Sequence, residues 1–328
     1  MGEIPEMSAA AHLLDFTRRQ TRNVSSLILL ATIAGYLADL GRLFELTCHF
    51  RAQYLAVASA CVVAALALRE WRGAAMAVLA VILNGVAVLP WYLEKATPAA
   101  GSESQPLRLL LCNVYTANRR SAALLDLIQR ERPDLIVLEE VNDRWMADME
   151  PLRESHPDSK WIPRADNFGI AVLSRIGLVN PREAKLDETV PSILADFRFA
   201  GQNISLLATH PLPPGNGTTF RLRNAQLRRL ATLTGQSKSP AILIGDLNVT
   251  PWSPDYARLV RDSGLRDARR GRGLLPTWPT MFPPMMIPLD HCLASPSLKI
   301  AGIRRGPDVG SDHLPLIVDL LVPIAIRE

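Results

Sequence analysis

The chain has 328 residues, 48% of them hydrophobic, with a mean hydropathy of +0.11 and a formal net charge of +4. That length accommodates an accessory region plus one large domain, and that hydropathy is high for an enzyme that is water-soluble throughout. The four cysteines (Cys48, Cys61, Cys112, Cys292) show no metal-type or redox-type spacing and read as buried free thiols rather than as a disulfide framework.

The apolar excess is concentrated between Asn23 and Leu93, where three stretches read as membrane spans: 24–44, 52–68 and 73–93. The first needs Asp39 and Arg42 inside it, and these lie three apart on a helix and can pair. The third ends in Trp91-Tyr92, an interfacial aromatic signature. A long polar leader before Val24 argues against a cleaved signal peptide. Arg18, Arg19, Arg22, Arg69 and Arg72 fall on one side of the three spans, and Arg42, Arg51 and Lys95 on the other. Basic residues favour the inner side, so the expectation is a multi-pass protein of the plasma or inner membrane. Its C-terminal domain would lie on the periplasmic or extracellular side. Thr97–Ser102 reads as a linker, dividing the chain into an anchor (1–100) and a domain (101–328).

From Gly101 onward strands and helices alternate. Strands are predicted at Leu107–Cys112, Leu135–Leu138, Gly169–Leu173, Ser192–Phe199, Ile204–Ala208, Ala241–Ile244, Leu289–Leu293 and Leu316–Leu321. Helices are predicted at Ser121–Arg130, with Ser121 as N-cap, at Phe220–Thr234 and at Asp255–Ser263. Several strands follow one another without a helix between, which favours an α+β sandwich of mixed sheets over a doubly wound sheet. Arginines cluster at 221–229, 261–272 and 304–305. Solvated helix faces account for such runs, and a polyanionic substrate is permitted by them.

Acids, amides and imidazoles stand where the apolar runs give out: Asn113, Glu139-Glu140, His210, Gly245-Asp246-Leu247-Asn248, Asp290 and Ser311-Asp312-His313. Side chains at strand ends on short loops are how a rigid scaffold builds a site. In order and spacing these segments resemble the endonuclease/exonuclease/phosphatase family from Leu107 to Leu321. The resemblance implies a four-layer α/β/β/α sandwich with two packed mixed sheets. It also implies Mg²⁺ or Mn²⁺ as cofactor, since hydrolysis of a phosphate ester needs charge neutralised at the phosphoryl group. Asn113, Glu140 and Asp312 would hold the metal. His313 would be the general base, oriented by Asp290, with Asp246 as the rival activator of water. Asp246 and Asn248 alternate along what reads as an extended segment, so both could face one phosphate, and His210 would grip a phosphate oxygen or assist the leaving group. Glu139 stands where the family usually has glutamine. No tyrosine stands at Asn167-Phe168-Gly169, and His210 lacks an evident acidic partner among Asp187, Glu188 and Asp196. Thr209, Ser311 and His291 read as structural, and Met281–Ile287 as a loop covering the sheet.

The function expected is that of a membrane-anchored phosphodiesterase, foremost a nuclease, with nucleic acid or another phosphoester as substrate and the lipid bilayer contacted through the spans. A phospholipid head-group phosphodiesterase is the alternative within the same class. A non-catalytic binding protein on this fold is the rival class.

Overall fold

The computed structural model describes residues 9–93, 103–184, 186 and 189–325, so the predicted linker at Thr97–Ser102 lies outside the described residues. The chain divides into two compact units, Met1–Pro90 and Trp91–Glu328.

The first unit is helical: α1 (Ala9–Tyr36), α2 (Arg42–Cys48), α3 (Arg51–Ala67) and α4 (Trp71–Val88), with one further turn, α5 (Pro90–Leu93), at the boundary. Buried small residues (Ala58, Ala65, Ala74, Ala77, Ala80) let α4 pack closely on its neighbours. The buried Asn84 amide donates to Thr32 Oγ1 at 2.8 Å. The expectation of three spans needs correction. Among the described residues only Trp71–Val88 is long and apolar enough by itself to cross a membrane. α2 and α3 qualify only if counted as one span bent by 63°. The apolar part of α1 is too short because Asp15, Arg18, Arg19 and Arg22 occupy the N-terminal half of the same helix.

The second unit contains two six-stranded sheets. Its strands are β1 (Ser104–Asn113), β2 (Leu135–Glu139), β3 (Asp158–Ile162), β4 (Ile170–Ser174), β5 (Leu178–Ala184), β6 (Ser192–Phe199), β7 (Gln202–Thr209), β8 (Ala241–Asp246), β9 (Arg266–Asp267), β10 (Asp290–Ala294), β11 (Lys299–Arg305) and β12 (Leu316–Pro323). One sheet runs β11-β12-β1-β2-β4-β3 and the other β5-β6-β7-β8-β10-β9. Among the described residues only β1–β2 and β7–β8 pair in parallel. The helices are α6 (Ser121–Glu131), α7 (Asp143–Asp148), α8 (Gly217–Gly235) and α9 (Pro254–Ser263). The N-cap of α6 is Arg120 rather than the expected Ser121.

Side chains alternate faces along a strand, and that rule fixes the layering. Leu107, Leu109 and Leu111 of β1 join Ile242 and Ile244 of β8 and Cys292 and Ala294 of β10 in a core between the sheets. Their neighbours Leu110 and Cys112 pack with Leu124, Leu127 and Trp145 under α6 and α7. Leu243 and Leu293 pack with Leu227, Leu230, Tyr256 and Leu259 under α8 and α9. The result is the expected α/β/β/α sandwich. Each fully buried Leu or Ile contributes on the order of 1.5–3 kcal/mol of burial, so three adjoining apolar layers suffice to fix the register. All four cysteines are free and buried, as expected.

Candidate active site

The same alternation, carried one step past the apolar residues, builds the site. Asn113 follows Leu107, Leu109 and Leu111 in parity, and Glu139 follows Leu135 and Val137. Asp246 follows Ile242 and Ile244, while Asp290 shares its face with Cys292 and Ala294. All four side chains therefore occupy the inter-sheet face at strand ends, where the apolar filling stops. Pairing of β8 with β10 sets Asp246 opposite Asp290.

Asp246 is the hub. Its Oδ2 lies 3.5 Å from His210 Nε2 and 3.5 Å from His313 Nε2, and its Oδ1 accepts from the backbone N–H of Asn248 at 2.9 Å. His313 Nδ1 lies 2.8 Å from Asp290 Oδ2, the predicted carboxylate–imidazole pair. Ser311 Oγ donates to Asn113 O at 2.7 Å and accepts from His313 N at 3.1 Å, which ties the final loop to β1. The structural reading of Ser311 fits these bonds. The acidic partner missing for His210 is Asp246, at a loose 3.5 Å. Asp196 bonds Ser205 Oγ instead, and Asp187 and Glu188 lie outside the described residues. His210 Nδ1 is buried without a hydrogen-bond partner, and the Phe168 ring packs beside it with centroids 5.4 Å apart.

Glu140 has φ +62°, an uncommon conformation for a residue with a side chain. It is held there by Asn113 Nδ2 (3.1 Å), by Thr116 N (3.3 Å) and by Thr116 Oγ1 donating to the Glu140 carbonyl (2.9 Å). Asp312 accepts from Trp278 Nε1 at 3.1 Å. Glu139 points the other way, into the sandwich, where both its oxygens accept from the Asp246 backbone N–H (2.9 and 3.2 Å). Burial, with Asp246 and Asp290 nearby, pushes Glu139 well above the carboxylate range. A protonated Glu139 has the shape and charge of glutamine, which accounts for the exchange at this position.

One expectation fails locally. Asp246 and Asn248 do not alternate along an extended segment, because Asn248 has φ +50° and begins a tight turn. Its Nδ2 donates to Pro211 O at 2.9 Å. A second correction concerns Met281–Ile287. Met286 and Ile287 are buried, but Met281 is 84% and Phe282 56% exposed, so the leading half of the loop projects. Nor are the arginine clusters all solvated, since Arg223 and Arg269 are wholly buried.

The charge states follow from burial among acids. Burial alone would lower His313, but Asp290, Asp246 and Asp312 outweigh it and raise the imidazole to about 10. Burial raises Asp246 against the pull of His313, whereas the bonded His313 holds Asp290 below its ordinary value despite burial. Burial drives His210 down to about 4 against the pull of Glu140. The site thus keeps one imidazole charged and the other neutral on the two sides of one carboxylate. Burial also raises Glu140, against the pull of His210 and the bonds from Asn113 and Thr116. Among the described residues no three His, Cys, Asp or Glu side chains form a ready metal cluster. Glu140 and Asp312 with the Asn113 amide make an all-oxygen set of two carboxylates and one carbonyl. That suits Mg²⁺, which keeps waters and substrate oxygens as its remaining ligands. Sequence reasoning missed Thr116 and Trp278, which fix two of these groups; neither carries a local signal beyond a loop position.

A profile of the Endonuclease/Exonuclease/phosphatase family matches residues 110–313, more than half of the chain. No curated protein matches the sequence. Among solved structures, D. rerio TDP2 complexed with a single-strand DNA product aligns with a TM-score of 0.56 at 16% identity, over 66% of this chain and 99% of that one. An endonuclease/exonuclease/phosphatase from Beutenbergia cavernae aligns with a TM-score of 0.56 at 20% identity, over 67% and 72%. The human Nocturnin catalytic domain with a bound sulfate anion aligns with a TM-score of 0.54 at 22% identity, over 67% and 96%. At these identities the likeness is one of fold.

Proposed function

Because the chain belongs to the endonuclease/exonuclease/phosphatase family, whose members are hydrolases of phosphoester bonds, we propose that it is a divalent-metal-dependent phosphodiesterase acting on nucleic acid. The observation that carries the reading is one carboxylate, Asp246, set 3.5 Å from each of two imidazoles, His210 and His313, beside an all-oxygen ligand set. Mg²⁺ or Mn²⁺ bound by Glu140, Asp312 and Asn113 would neutralise charge on the phosphoryl group.

Around that centre the side chains divide the work. His313, kept protonated by Asp290 and Asp246, donates its Nε2 proton toward a phosphoryl oxygen. Asp246, raised by burial, accepts the proton of the attacking water. Of the two candidate activators of water, this takes Asp246 rather than His313, whose imidazole Asp290 and Asp246 hold in its protonated form. Neutral His210 and the second amide N–H of Asn248 hold the remaining phosphate oxygens. Nucleic acid is favoured by the exposed arginines of 221–229 and by the fold's likeness to a TDP2 complexed with single-strand DNA. A lipid phosphodiester is the second reading, favoured by the exposed Met281 and Phe282 one turn from Asp312, whose carbonyl Thr280 N binds at 2.9 Å.

Detergent-solubilised full-length protein should nick plasmid DNA or cleave RNA with Mg²⁺ and stop in EDTA. Cleavage of sphingomyelin alone would select the second reading. Inertness toward DNA, RNA, sphingomyelin and a bis-aryl phosphodiester would overturn both.

Attachment to a membrane is part of the proposal. Leu27, Leu30, Ile33, Val63, Ile82 and Val86 leave the helices of the first unit with much exposed apolar surface, which water-soluble bundles avoid. We take α4 as a single crossing, with Arg69 and Arg72 on its inner flank, which puts the second unit on the periplasmic or extracellular side. Protease added to cells with a permeabilised outer membrane should remove the second unit; protection would refute this sidedness.

A further inference from the structure

The buried face of α8 carries Arg223, Asn224, Gln226 and Thr234 beside Leu227, Leu230 and Ala231, and two of these polar side chains, Arg223 and Gln226, lie three residues apart. Arg223 has no exposed surface, and its NH1 donates to the Asn248 carbonyl at 2.8 Å. Its Nε and NH2 both hold Asn224 Oδ1, at 2.9 and 2.7 Å, which fixes the guanidinium plane. Gln226, also without exposed surface, donates to Thr209 Oγ1 at 3.0 Å and to Ser192 Oγ at 3.4 Å. Thr209 Oγ1 and Ser192 Oγ are themselves 2.7 Å apart.

Both side chains end on the backbone or neighbour of a residue placed in the site. Asn248 sits at φ +50°, a left-handed conformation uncommon for a residue with a side chain and most readily taken by asparagine, which its surroundings must still hold. Arg223 grips that turn at the Asn248 carbonyl, and His291 Nε2 grips it one peptide later, 2.7 Å from Val249 O. Thr209 immediately precedes His210, and strand alternation sends Thr209 toward α8 and His210 toward the inter-sheet face. Holding Thr209 therefore aims His210. Residues three apart share one helix face, so a single rigid element reaches both loops. A buried guanidinium is destabilising unless its bonds are made, and a leucine would fill this face without that penalty.

We infer that α8 is a positioning element for the site: Arg223 holds the Asn248 turn and Gln226 holds the His210 strand end, so that both side chains meet one phosphate. The inference rests on the reading of Asn248 and His210 as phosphate contacts, and neither Arg223 nor Gln226 touches substrate.

Two double-mutant cycles test it in full-length protein, Arg223→Met with Asn248→Ala and Gln226→Leu with His210→Ala. Each is read as kcat/KM on bis-p-nitrophenyl phosphate with Mg²⁺ and as affinity for inorganic phosphate, with thermal unfolding to correct for folded fraction. Asn248→Ala alone should lower kcat/KM by about 10²-fold. Arg223→Met should lower it by roughly 10–100-fold, as loss of an outer-shell partner does elsewhere. In the Asn248→Ala background Arg223→Met should then cost less than about 3-fold, and phosphate affinity should follow the same pattern. Full additivity would overturn the inference, since a merely structural role penalises both backgrounds equally. If Arg223→Met does not fold, the Gln226 cycle decides by the same criterion. If Asn248→Ala and His210→Ala change neither readout, the site reading itself fails and the inference falls with it, a pattern distinct from additivity.

Discussion

Gly245 tests whether β7 and β8 must lie as close to each other as the site requires. A Cβ built there would lie 1.9 Å from the Thr209 carbonyl oxygen and 2.6 Å from Glu139 Oε1, at φ +156°. Real Cβ contacts essentially never fall under 3.0 Å, so β7 and β8 would have to part by at least about 1 Å. Overpacking of this kind costs about 1–3 kcal/mol and the backbone strain a similar amount, so Gly245→Ala should lose roughly 2–6 kcal/mol. For a unit of this size that lowers Tm by roughly 4–24 °C. The same parting moves Thr209 and His210 away from Asp246, and a displacement of about 1 Å costs on the order of 10²-fold in rate. Gly264→Ala is the control, because its Cβ at φ +68° meets nothing within 4 Å. That variant should lose only about 1 kcal/mol and keep full activity. Calorimetry and hydrolysis of bis-p-nitrophenyl phosphate would measure both. A Gly245→Ala protein with the Tm and kcat of Gly264→Ala would refute the argument that close approach of β7 and β8 sets His210 against Asp246.

Glu140→Gln removes the charge and can accept only one of the two bonds from Asn113 Nδ2 and Thr116 N, so activity with Mg²⁺ should fall by about 10²-fold or more and stability by about 1–3 kcal/mol. Turnover at the unmutated level would end the ligand assignment. His313→Ala should lower kcat by roughly 10²-fold or more, with KM within a few-fold, and an effect confined to KM would assign His313 to binding instead. Acid stability depends on His291, which burial and Arg269 hold at about 4 against an ordinary 6.5. The unfolded chain takes up a proton below 6.5 that the native state refuses, so this contribution is full above pH 6.5 and lost as pH falls toward 4. It amounts to about 3 kcal/mol at most. In denaturant titrations from pH 7 to 4, His291→Gln should flatten the fall in unfolding free energy, and an unchanged slope would contradict a neutral His291.

Much of the second unit was legible because its central strands are apolar runs bounded by turns. The four strands that sequence reading missed are β3, β5, β9 and β11, the four edges of the two sheets. Edge strands are half exposed and broken up against aggregation. Asp158 and Lys160 punctuate β3, Pro181 interrupts β5, and β11 shifts register between Ile300 and Gly302. Their patterns therefore resemble loops. In the first unit, apolar content alone suggested three spans, but helix boundaries divided it differently. The turn at Gly41 separates α2 from α1, and His49-Phe50 separates it from α3. Which acid meets His210 was equally hidden, since Asp246 reaches it only through the pairing of β7 with β8.

Strand parity also explains why the departures from expectation fall where they do. Residues of inward parity at the strand ends, namely Asn113, Glu139, Asp246 and Asp290, face one another across the gap between sheets, and their mutual burial sets the charge states of the site. Residues of outward parity, Thr209 and His291, face the helices and meet buried polar partners there: Gln226 for the first, Arg269 for the second. Arg269 in turn is held by Asp267, which also accepts from Tyr256 of α9. A sequence reader assigns Arg223, Gln226 and Arg269 to solvent because arginine and glutamine usually go there. Once parity turns Thr209 and His291 toward the helix layer, each needs a buried hydrogen-bond partner, since an unmet one costs about 1–3 kcal/mol. The polar residues of the helix layer are thus a consequence of where the strands that carry the candidate site end.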